Sequence, residues 1–147
     1  MPYPYKKIFA AIDNGSTQKA VLARAIVLAE TYNASIVLGH VVDSIPHETT
    51  GSNFGELLSN FRAQLSESLA DDIKAIENNP KIPEVRLEVA IGRVADTLVE
   101  IMIEDEQPDV VVCGERGFSN LKYAFVGSVS LNIVRKVRCD VLMLKVQ

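Results

Sequence analysis

The chain has 147 residues, 48% of them hydrophobic and 23% charged, with a formal net charge of −4 and a pI near 5.2. That size suits one domain, residues 1–147, with a core of its own, and the acidic balance gives no general attraction to nucleic acid or to an anionic membrane surface. No apolar run reaches membrane-spanning length and the opening MPYPYKKIFAAI lacks the features of a secretory leader, so a cytoplasmic protein with reduced, buried thiols at Cys113 and Cys139 is expected.

Lys7 to Ile12 is a first apolar run, and Asn14-Gly15-Ser16-Thr17 after it supplies turn and N-cap chemistry. Val21, Leu22, Ala25, Leu28, Ala29 and Tyr32 then recur at three and four, the stripe of an amphipathic helix. Ser35 to Val42 is nearly continuous in apolar residues, as a strand buried on both faces should be. Asp43 to Gly55 has no period and reads as a loop. From Phe54 through Leu57, Leu58, Phe61, Leu65, Leu69, Ile73 and Ile76 the spacing predicts one long helix ending near Asn78-Asn79-Pro80. Val85 to Ile91 alternates as a third strand, and Gly92 leads into a helix with Val94, Leu98, Ile101 and Met102 on its buried face. Asp109 to Gly114 and Val141 to Val146 are the last two strands, with a short helix, Val129 to Lys136, between them.

The order βαβαβαβαβ predicts an α/β fold, a single-domain doubly wound five-stranded parallel sheet with helices on both faces. Ligands of such sheets bind beyond the carboxyl ends of the strands, where the winding reverses. The loops after strands one, two and four are therefore the candidates. The fourth carries Gly114-Glu115-Arg116-Gly117, then nine residues, then Gly127-Ser128 at the start of a helix. Backbone can approach phosphate oxygens closely where no Cβ intervenes, and the unpaired N–H groups of a helix start favour an anion. The plainer reading is that the glycines only turn the chain and Ser128 only caps the helix. It is not a Walker loop, because no G-x-x-x-x-G-K-[ST] occurs.

The segment VVVCGERGFSNLKYAFVGSVS, Val110 to Ser130, resembles the nucleotide-binding signature of the ATP-binding universal stress proteins: Gly, two residues, Gly, nine residues, Gly, then Ser or Thr. KKIFAAIDNGS, LGHVVD and CDVLMLKV resemble the family too, with Asn14 an extra residue where the family commonly reads D-G-S. The resemblance implies an adenine nucleotide alpha hydrolase-like fold and ATP bound with Mg²⁺ or Mn²⁺. It implies that Gly114, Gly117, Gly127 and Ser128, with Val129 at the same helix start, hold the phosphates, helped by Arg116 and Ser130. It also implies that Asp13 faces the adenosine and that the Val41 backbone meets the adenine edge. Glu115 is expected to face solvent.

The other polar candidates are weaker. His40, inside an apolar strand, reads as a core histidine rather than a general base; His47 is expected in solvent, Glu104, Asp105 and Glu106 on a solvated face, and Cys113 as a small buried hydrophobe. Three functions compete: a nucleotide-binding regulator, a slow ATPase or nucleotidyl-transfer enzyme, and a nucleotide-free scaffold. A last strand at the sheet edge predicts a homodimer paired through it, as the resemblance also implies.

Overall fold

The computed structural model describes residues 4–13, 15, 17–48, 51, 53–115 and 128–145. Five parallel strands lie in the order β3-β2-β1-β4-β5, with β1 at Lys7–Ala11, β2 at Ser35–Asp43, β3 at Val85–Gly92, β4 at Val110–Gly114 and β5 at Asp140–Leu144. β1 sits between β2 and β4, so the winding reverses there and leaves a crevice at the carboxyl ends of β1 and β4.

The inner strands β1, β2 and β4 are largely apolar on both faces because each face carries its own core. Ile8, Ala10, Ile12, Ile36 and Leu38 pack with Val21, Leu22, Ala25 and Ala29 of α1 (Gln18–Tyr32). Leu65 of α2 (Phe54–Ser68), Ile76 of α3 (Ala70–Glu77) and Leu69 at the junction between them extend that layer. Phe9, Ala11, Val37, Val41, Val111 and Cys113 point the other way. They meet Leu98, Val99, Met102 and Ile103 on one side and Val129 and Ile133 of α6 (Ser128–Lys136) on the other. Each large side chain removed from water in these layers contributes about 1.5–3 kcal/mol.

Two helices depart from the expected pattern. The long helix after Phe54 is interrupted at Leu69, whose φ of −102° and ψ of 3° leave the helical region, and the Ser68 hydroxyl donates to the Leu65 carbonyl at 3.0 Å. A serine hydroxyl competing for a helix carbonyl favours such a bend, and the bend lets Leu69 reach the core at 1% exposure.

The helix after Gly92 begins as α4 (Val94–Asp96), widens into a π-helix over Thr97–Ile103 and closes as α5 (Glu104–Glu106). A wider turn changes which residues share a face. Ile101, expected inside, is 57% exposed, while Val99 and Ile103 are buried with Leu98 and Met102. The acidic run is not uniformly solvated: Glu106 pairs with Arg86 and Lys7.

The two sheet edges differ in chemistry. β3 carries Arg86 and Glu88, which pair with each other, and Arg62 of α2 reaches both the Leu87 carbonyl at 3.5 Å and the Glu88 carboxylate at 3.7 Å. β5 presents Val141, Leu142, Met143 and Leu144, all half-buried. It ends at Leu144, short of the expected Val146, which lies outside the described residues. Cys113 is fully buried and its thiol is pushed up to about 11 by burial, whereas Cys139 is half-buried rather than enclosed. Neither thiol is in a setting that activates a nucleophile.

Candidate functional site

Beyond β1 the chain makes a tight turn organised by Asp13. Its Oδ1 accepts from the Gly15 N–H at 2.8 Å, and its Oδ2 accepts from the Thr17 hydroxyl at 3.0 Å. Thr17 thus spends its hydroxyl on Asp13 rather than on the first turn of α1, which has no side-chain cap. The spacing D-x-x-x-T is the sequence signal for this contact, so Thr17, expected to supply turn or cap chemistry, instead braces Asp13.

β4 ends alongside the same turn. A Cβ on Gly114 would lie 3.0 Å from Thr17 Oγ1 and 3.2 Å from Thr17 Cβ, so bare backbone is what lets the two loops approach. The Gly114 carbonyl accepts from the buried Ser130 hydroxyl at 2.7 Å, which ties the end of β4 to the first turn of α6. Ser130 therefore fastens the frame of the loop, with Val129 buried beside it. Glu115 does not face solvent as expected. Its side chain is only 15% exposed, its N–H donates to the Leu144 carbonyl at 2.9 Å, and its carboxylate lies 3.5 Å from Lys145 Nζ.

Val41 sits near the end of β2 with its side chain buried in the second core layer. Asp13, Val41, Gly114, Val129 and Ser130 are all brought to the carboxyl end of the sheet or the helix start beside it. Arg116, Gly117 and Gly127 lie outside the described residues, as does the side chain of Ser128. Among the described residues no cluster of three metal-ligating side chains occurs, and no helix is long and apolar enough to cross a membrane.

A groove of about 790 Å³ opens at the opposite end of the sheet, lined by Ile103, Gln107 and Asp109 together with Arg138, Cys139 and Asp140. It lies at the amino ends of β4 and β5, away from the winding reversal, and a doubly wound sheet places its ligand at the other end. His47 is half-buried, its ring edge-on to Phe61 at 6.2 Å, rather than in solvent.

With this geometry in view, the match to known proteins is direct. The model of the universal stress protein family matches residues 4–145. The chain belongs to the universal stress protein family. A universal stress protein of Staphylococcus saprophyticus is 27% identical over 146 residues, covering 97% of this chain and 85% of the relative. The solved universal stress protein UspA from Lactobacillus plantarum superimposes with a TM-score of 0.78 at 19% identity, over 97% of this chain and 99% of that one. A universal stress protein solved in complex with cAMP superimposes with a TM-score of 0.68 at 22% identity, over 97% and 98% of the two chains. At these identities the structural likenesses establish the fold.

Proposed function

We propose that this universal stress protein binds an adenine nucleotide, ATP with Mg²⁺ or Mn²⁺, in the crevice between β1 and β4, and acts as a regulatory homodimer of the cytoplasm. The observation that carries the reading is the coupling of Asp13, Thr17, Gly114 and Ser130, which fixes both ends of the glycine-bracketed loop beside the winding reversal. In this reading Gly114, Gly117, Gly127, Ser128 and Val129 surround the phosphates, with the nine-residue α6 directing its N-terminal amides at them. Arg116 adds charge, Asp13 meets the ribose, and the Val41 backbone meets the base. The cation would arrive with the phosphate oxygens, which supply its ligands. The complex of a relative with cAMP supports an adenine ligand.

Equilibrium binding of labelled ATP with and without Mg²⁺ tests the assignment. Micromolar binding strengthened by Mg²⁺ is expected, with phosphate release far below about 1 s⁻¹, because turnover needs a group that orients the attacking water. Absence of binding favours a nucleotide-free scaffold; release at an enzymatic rate favours an ATPase.

The half-buried apolar edge of β5 supports the dimer, since pairing with a second copy in antiparallel register closes a two-fold interface. Light scattering at micromolar concentration should give about twice the 16.1 kDa chain mass, and Met143→Pro, which removes a backbone donor, should lower it to the monomer value. A wild type at the monomer mass rules the dimer out.

A further inference from the structure

We propose that His40 is a positioning residue that keeps the Val41 amide open toward the crevice by holding the Ile12 carbonyl, to which that amide would otherwise bond, on its own ring and out of line with the ladder. In a parallel ladder a residue donates its N–H to one residue of the neighbouring strand and accepts at its carbonyl from the residue two further on. The β1–β2 register runs in step to Ala11↔Gly39, so the next residues to face each other are Ile12 and His40. The first half of that bridge is made: Ile12 N–H donates to the Gly39 carbonyl at 2.8 Å. The second half, Val41 N–H to the Ile12 carbonyl, does not occur among the described backbone bonds. The Ile12 carbonyl instead meets His40 Nδ1 at 2.8 Å.

A carbonyl only accepts, so Nδ1 carries the proton and donates. His40 also lines a cavity of about 500 Å³ with Phe61, Gln64 and Leu65 of α2. The pleat repeats every two residues, so Val41 directs its N–H and C=O to the same side as Gly39, the side from which β1 has turned away. One donor and one acceptor side by side match the N1 acceptor and N6 donor of adenine and oppose the corresponding edge of guanine. A missing ladder bond at this position is thus a recognition element, and His40 is what keeps it missing. This inference rests on the adenine-nucleotide reading above and assigns the residue behind its base selection.

Amide hydrogen exchange of Val41 by NMR, with titrations of ATP, GTP and inorganic tripolyphosphate, tests it in the full chain. In His40→Leu the Val41 amide is expected to become protected as it takes the Ile12 carbonyl. ATP affinity should then fall about tenfold, one hydrogen bond's worth, and the preference over GTP should shrink while tripolyphosphate binding stays unchanged. His40→Asn, whose Nδ2 stands where Nδ1 stood, should restore both exchange and preference. A Val41 amide protected in the wild type, or a folded His40→Leu variant with wild-type exchange and ATP-to-GTP ratio, overturns the role of His40 alone. A wild type that binds ATP no better than tripolyphosphate, with its Val41 amide unprotected, overturns the nucleotide reading, and base selection by His40 falls with it.

Discussion

Gly127→Asp is expected to abolish ATP binding while the sheet remains folded. Gly127 immediately precedes Ser128, where α6 begins, and a helix start attracts an anion through its unpaired N–H groups. A carboxylate built in at that point competes for those donors and repels the phosphate. Two like unit charges about 4 Å apart, in an effective dielectric of about 20, oppose each other by about 4 kcal/mol, which corresponds to about a thousandfold in affinity. Titration calorimetry with MgATP, beside circular dichroism to verify folding, reads the effect. A folded variant that binds ATP as tightly as the wild type would remove this loop as the phosphate site.

Gly39→Ala should act on stability instead, and strongly for one methyl group. An ideal Cβ at Gly39 would lie 2.2 Å from Phe9 Cζ and 2.8 Å from Cε1, well inside contact distance. Phe9 cannot yield, because it is fully buried and held among Val37, Leu98 and Val111 in the second core layer. Overpacking of this kind costs about 1–3 kcal/mol, and the expected loss is at the upper end because Gly39 lies between two paired strands. The urea midpoint should fall with little change in slope. Phe9→Leu in the same chain should recover part of the loss, a coupling that two independent defects would not give. An unchanged midpoint in Gly39→Ala would mean that the ring does not lie over this glycine.

The parallel sheet was legible because buried strands such as Ser35 to Val42 and Asp109 to Gly114 have no polar face to confuse with a helix. Its helical segments were legible in place but not in detail, since the second and third expected helices are each divided. Ile101 fits a 3.6-residue period with Val94 and Leu98, but the segment meets the core through Leu98, Val99, Met102 and Ile103, which leaves Ile101 on the outer side. Leu69 continues the apolar stripe from Phe54, so periodicity alone hides the bend there. At the site, Asp13 and Gly114 stand beyond β1 and β4 where the sequence placed them, since both follow from where strands stop, while Gly117 and Gly127 lie outside the described residues. The contact between His40 and Ile12 was not legible, because it depends on the ladder stopping one bond short, and register is a property of two strands together. Glu115 misled for a related reason: its partner, Lys145, is distant in sequence and arrives only with β5.

The unequal chemistry of the two sheet edges sets an upper limit on growth by strand addition. β3 is flanked by Arg62, Arg86 and Glu88, whose solvated charges an incoming strand would have to displace, whereas β5 offers apolar residues and backbone. A molecule with two permissive edges would propagate into ribbons; with one, the first partner consumes the sole point of extension. The ion pairs of β3 contribute little to folding at the surface; if β5 pairs as proposed above, their consequence is termination, since the assembly would then stop at two copies and leave no permissive edge from which a fibre could grow.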